Sequence, residues 1–182
     1  MQKNHILTII TIAAIAILLT NPISTVTADG IALTIIDPSG VPHNIAEEDL
    51  LAMPKTYVQS ELLCYGNPVT EGNWGGVQLS YLLSSVNMTS DVASLQFAAS
   101  DGYKVNIPLE LALQPDVIIA YELDSQPLQE WLRLVLPGYN GAVWIAMIQT
   151  ITLSTTEASY PESTWTFDAI VKELRGIEPD LA

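Results

Sequence analysis

Among the residues of this sequence that could do chemistry, the scarcest is cysteine, and Cys64 is the only one. A single thiol cannot build an internal disulfide framework, so its value lies in what else a sulfur can do. Cys64-Tyr65-Gly66-Asn67 falls where an expected strand gives way to a glycine-rich stretch, with Trp74-Gly75-Gly76-Val77-Gln78-Leu79 behind it. A thiol at a strand end can face a cavity, and thiolate is the soft side-chain donor that heavy, electron-rich metals prefer. The competing reading is a small buried hydrophobe, the commoner role of a free cysteine.

The other reactive groups narrow the field by what they lack. Histidine occurs only at positions 5 and 43, so a zinc site of ordinary composition would want ligands the chain does not have. His43, beside Pro42 in a turn, reads as a surface residue, and a Cys-His nucleophilic pair requires that His43 and Cys64 meet in the fold. Glu47-Glu48-Asp49 is the densest acidic run, but it lacks the spaced oxygen ligands of a calcium loop. There is no phosphate-binding Walker loop, no dinucleotide-type G-x-G-x-x-G after a strand, no H-E-x-x-H and no G-x-S-x-G elbow.

Charge decides against two classes of partner. All twenty acidic residues follow Ala28, against Lys55, Lys104, Arg133, Lys172 and Arg175, and the whole chain carries a formal charge of −14. Nucleic acid and anionic lipid reward clustered Lys and Arg, so neither is expected as a partner, and the acidity reads as solubility. The first 28 residues read as a targeting segment: Lys3 near the start, an apolar run over 6–19, and Val26-Thr27-Ala28 as small residues for cleavage. The run is shorter than the roughly 20 residues of a membrane span, which favours a cleaved signal peptide over an uncleaved anchor. Asn21-Pro22 argues against a core helix. Either way the rest of the chain is expected outside the cytoplasm.

The elements that would position Cys64 can be read from periodicity. Residues 31–37 form an apolar, β-branched strand running into the Asp37-Pro38-Ser39-Gly40 turn. Asn44 with Glu47 resembles a capping box for a short helix that ends at Pro54. A strand follows at 57–64, then a long irregular loop through the glycines at 66, 72, 75 and 76. A second helix is expected over 77–86, with Leu79, Leu82, Leu83 and Val86 on one face. Strands at 94–99 and 103–107 pair through Asp101-Gly102, and further strands follow at 117–123, 132–136 and 144–153. The chain then ends in a tail over 157–182 containing an amphipathic helix around 165–174. Strands outnumber helices, so the expected class is α+β: a mixed, mostly antiparallel sheet in one domain over 29–156.

Residues 57–153 resemble the oxidoreductase molybdopterin-binding domain of the sulfite oxidase family. The likeness rests on a C-x-G-N segment at Cys64, a W-x-G-x-x-L element at Trp74, the D-G-Y turn Asp101-Gly102-Tyr103, the strand Ile119-Ala120-Tyr121-Glu122-Leu123, and an R-L-V-x-P-G-Y-x-G block running from Arg133 to Gly141. The resemblance implies a sulfite-oxidase-type fold in which Cys64 is a thiolate ligand to molybdenum held by molybdopterin, serving oxygen-atom or two-electron transfer. It further implies that Gly66, Asn67, Trp74, Asp101, Tyr103 and Tyr139 shape the cofactor pocket, that Arg133 meets anionic groups, and that a small-molecule substrate and a redox partner subunit complete the system.

Three features depart from the family pattern. Its basic residues after P-G-Y-x-G correspond here to Val143 and Ala146, which strips positive charge from the place a phosphate would need it. Family members add pterin contacts, including histidines, from a longer stretch before the cysteine than residues 29–63. The leader has Lys3 and no arginine, unlike the twin-arginine signals that export cofactor-loaded enzymes folded. The alternative is a cofactor-free extracytoplasmic binding module in which Trp74, Tyr103, Tyr139 and Trp144 line an apolar groove.

Overall fold

β-Branched residues alternating in burial make the first strand, and an aspartate makes its turn. In the computed structural model, which describes residues 30–64, 66–86 and 88–161, β1 (Ile31–Ile36) buries Leu33 and Ile35 and pairs antiparallel with β2 (Pro42–Ala46). The Asp37 carboxylate accepts from the backbone N–H groups of Ser39 and Val41 at 2.9 and 3.0 Å, closing the turn as Asx chemistry predicts. The targeting segment expected at 1–28 and the helix expected at 165–174 lie outside the described residues.

The short helix after β2 forms, but not by the expected cap. It begins at Glu47 (α1, Glu47–Ala52), with Ala46 at the cap and no side-chain hydrogen bond there. Asn44 instead belongs to β2, opposite Thr34, whose hydroxyl donates to it at 3.0 Å. Three acidic residues in the first turn suit the positive end of the helix.

The expected loop over 66–76 is a strand. β3 (Lys55–Cys64) turns at Gly66, with φ of 77°, into the twelve-residue β4 (Asn67–Gln78). The glycines belong to the strand because β7 (Ile118–Leu123) crosses too close for side chains. A Cβ on Gly76 would lie 2.1 Å from the Ile119 carbonyl oxygen and 2.5 Å from the Ala120 Cα, and one on Gly75 would lie 2.4 Å from Glu122 Oε1. A bulge opposite these glycines leaves Tyr121 as the extra residue.

Helix α2 (Leu79–Ser84) buries Leu79, Leu82 and Leu83 and is shorter than expected, because Val77 and Gln78 still belong to β4. The hairpin of β5 (Ser94–Ala99) and β6 (Lys104–Pro108) forms as read, and a single turn of helix, α3 (Leu109–Ala112), follows. β7 reaches β8 (Gln126–Pro127) through Asp124 and Ser125, both left-handed at φ of 49° and 63°, and β9 (Arg133–Val135) pairs with β7 as well. The last strand, β10 (Ile148–Ser154), starts later than expected. Met147 is left-handed at φ 54° and breaks the ladder, while the residues before it reach the other sheet: the Leu134 N–H donates to the Ile145 carbonyl at 2.9 Å.

The result is two five-stranded sheets, one ordered β2-β1-β10-β5-β6, the other β3-β4-β7-β8 with β9 also on β7. The β1–β10 pair is parallel and the rest antiparallel, so the α+β class with a mixed, mostly antiparallel sheet holds. One apolar cluster takes residues from both sheets, including Leu33, Phe97, Ile151, Trp74, Ile119 and Trp144. Among the described residues no helix is long and apolar enough to cross a membrane.

Candidate functional site

Cys64 is the last residue of β3, two and six positions beyond the buried Leu62 and Val58, so period-two alternation turns its side chain to the same inner face. It stays half-buried there because the strand runs out of cover. It packs against the apolar core, and the backbone of Gly141 comes close beside it. The 3-10 turn Gly141–Val143 is braced by Asn140, whose side chain accepts from the Ala142 N–H at 3.0 Å. A Cβ on Gly141 would stand 2.9 Å from Cys64 Sγ, 2.8 Å from Leu62 Cδ2 and 2.9 Å from the Leu63 carbonyl oxygen. Only a glycine lets this turn lie flush on the end of β3.

The sulfur opens on a cavity of about 470 Å3. Leu62, Val69, Trp74, Leu123 and Leu128 give it apolar walls, and Thr70, Gln126 and Gln129 give it polar neutral groups. Its charged lining residues are Glu130 and Arg133. Arg133 comes from the first position of β9; its Nε donates to Glu130 Oε1 at 2.8 Å, and Nη2 lies 2.8 Å from the same oxygen. Nη1 donates to the Trp144 carbonyl at 2.9 Å. The guanidinium is thus neutralised by a carboxylate three residues back and fixed by backbone.

Of the residues singled out in the sequence, Cys64, Trp74 and Arg133 meet at this cavity. Gly66 and Asn67 form the β3–β4 turn beside it, Asn67 standing opposite Cys64 in the ladder. Asp101 and Tyr103 line a second, smaller hollow of about 270 Å3, and Gly141 borders both. There the Tyr103 hydroxyl donates to the Ala142 carbonyl at 2.9 Å, and Asp101 accepts from the Tyr103 N–H at 2.9 Å. Tyr139 is partly buried against the core and borders neither hollow. Trp74 and Trp144 are 2% and 1% exposed and pack edge to face at 5.6 Å, so with Tyr103 and Tyr139 they do not make one shared groove. Their apolar area is spent on the core instead.

Sequence reasoning passed over Glu130, Gln126, Gln129, Thr70 and Gly141 as site residues. The Glu130 to Arg133 spacing was a visible signal, whereas the other four depend on how loops fold back. His43 pairs with Asp37, its Nε2 at 3.1 Å from Oδ2, and is not part of the Cys64 cavity. The Asp37 carboxyl is held below its ordinary range, first by His43 and then by the Val41 and Ser39 N–H groups. Among the described residues no three His, Cys, Asp or Glu side chains gather as metal ligands.

Residues 20–162 match the family described as the oxidoreductase molybdopterin binding domain. No curated protein sequence matches the chain. Among solved structures, the sulfane dehydrogenase SoxCD from Paracoccus pantotrophus matches with a TM-score of 0.61 at 20% identity. The match covers 68% of this chain and 38% of that one, so the chain spans well under half the length of this structural relative. At that identity the likeness shows the fold, and the family follows from the match over most of the sequence: the chain belongs to the oxidoreductase molybdopterin-binding domain family.

Proposed function

We propose that this chain is a molybdopterin-binding oxidoreductase domain acting outside the cytoplasm, with Cys64 as its protein thiolate ligand to molybdenum. The observation that carries the reading is the sulfur of Cys64 opening, beside Gly141, on a cavity of about 470 Å3, a size that suits a cofactor site. The family binds molybdopterin, and the first of its expected site residues, Cys64, Trp74 and Arg133, line this cavity together. Bound there, molybdenum would supply oxygen-atom or two-electron transfer to a small-molecule substrate.

The chain's own residues fit one end of such a group better than the other. A soft donor, a cleared space at Gly141 and apolar walls suit the metal end. The phosphate end wants concentrated positive charge, and here Val143 and Ala146 contribute none while Arg133 is engaged by Glu130. Supplementary cationic groups would therefore come from a partner redox subunit or from residues beyond the described ones. The apolar run at 6–19 and the small residues 26–28 support export or an N-terminal anchor. The neutralised arginine also favours a second reading, a cofactor-free extracytoplasmic binding module built on the same fold.

Elemental analysis separates the two. Full-length protein from cells with an active cofactor pathway should carry stoichiometric molybdenum and lose it on Cys64→Ser, with thermal unfolding unchanged in shape. Metal-free protein from those cells would overturn the cofactor reading. Normal ligand binding by Cys64→Ala would then favour the module.

A further inference from the structure

The geometry points to Glu130 as the residue that sets the charge of the small-molecule substrate admitted at the Cys64 cavity: by neutralising Arg133 it favours uncharged substrates over small oxyanions. The inference deepens the reading above and rests on the Cys64 cavity being the ligand site. Three observations carry it. First, Glu130 and Arg133 are the charged lining residues, and they cancel. Second, the pairing is specific: two guanidinium nitrogens converge on one carboxylate oxygen at 2.8 Å, and a third is tied to the Trp144 carbonyl at 2.9 Å. Both side chains stay partly accessible, at 19% for Arg133 and 26% for Glu130, so the pair presents itself to the cavity rather than lying beneath its wall. Third, the remaining lining is apolar or neutral, with the amides of Gln126 and Gln129 able to donate to an uncharged acceptor.

An oxyanion entering here would meet an arginine whose charge is already spent and a carboxylate that repels it, inside a chain of formal charge −14. An uncharged ligand with an apolar body and a polar acceptor loses nothing on either count. Arg133 thereby becomes a strut between β9 and the Gly141 turn, and Glu130 a specificity residue acting through it.

The test uses a pair of probes alike in tetrahedral shape and unlike in charge: dimethyl sulfone, neutral, and methanesulfonate, a monoanion. Binding to the full chain is followed by calorimetry at fixed ionic strength, with the change in total tryptophan fluorescence as a second signal. Wild-type protein should prefer the neutral probe, and Glu130→Gln, which keeps shape and removes charge, should reverse the order by raising methanesulfonate affinity about tenfold, as a newly freed charged hydrogen bond would. Glu130→Gln with Arg133→Met should abolish that gain. Wild type favouring methanesulfonate, or Glu130→Gln gaining nothing while remaining folded, overturns the inference. The wild-type comparison alone decides the matter should the variant fail to fold. Molybdenum content is measured on the same samples, so loss of the cofactor reading and loss of this one are told apart.

Discussion

Replacing Gly141 by alanine tests the packing on which the site depends, because two opposing effects can be weighed. Gly141 is not among the glycines with positive φ, so alanine fits its backbone, and the stiffer unfolded chain alone would raise stability by about 0.4–1 kcal/mol. Against this, the new methyl would sit 2.8 Å from Leu62 Cδ2, 2.9 Å from Cys64 Sγ and 2.9 Å from the Leu63 carbonyl oxygen. Side-chain ends can rotate aside; a strand carbonyl cannot, so overpacking of about 1–3 kcal/mol should prevail. The net expectation is a loss of about 1–2 kcal/mol, read by urea unfolding with an unchanged slope. The sulfur is the most easily displaced of the three neighbours, so its reaction with a thiol reagent should also change in rate, and with one cysteine in the chain that rate reports on this spot alone. Gly141→Ala protein as stable as wild type, with the same labelling rate, would refute the packing described for the turn.

Other consequences can be checked as directly. Gly76→Ala should be far more damaging, by about 3 kcal/mol or more, because its methyl would meet backbone of β7 rather than side chains; denaturant unfolding decides. His43→Ala should move the acid limb of the stability curve to higher pH. Asp37 is held below its ordinary value chiefly by His43, so its contribution is full above an unfolded carboxylate pKa of about 3.9 and fades as pH falls through the folded value. An unmoved acid limb in thermal melts across pH would count against that pairing. Lys55 and Glu122, 2.9 Å apart, should couple by about 0.5–1 kcal/mol in a Lys55→Met, Glu122→Gln double-mutant cycle, less in high salt, with the carboxylate's share lost on acidification because Lys55 holds its pKa down.

Local chemistry was legible in the sequence where it acts within a few residues. Asp37 with Gly40 announced the first turn, and Asp101-Gly102 the β5–β6 hairpin, because in each the side chain and the left-handed glycine together specify the bend. What stayed hidden was set by another part of the chain. Gly72, Gly75 and Gly76 look like loop residues until β7 is laid across them, and nothing local distinguishes a glycine that bends from one that makes way. Asn44 and Glu47 had capping-box spacing, yet the pull of β1 drew Asn44 into a ladder. For the site, family likeness brought Cys64, Trp74 and Arg133 forward, and folding brought them together. It also spread Asp101, Tyr103 and Tyr139 elsewhere; the Glu130 to Arg133 spacing was legible, but that the pair borders the Cys64 cavity was not.

Gly141, which carries no side chain, borders both hollows. The atoms a side chain there would meet, Leu62 Cδ2, Cys64 Sγ and the Leu63 carbonyl oxygen, all belong to β3, so the steric demand of this one position falls on the Cys64 side and leaves the Tyr103 side untouched.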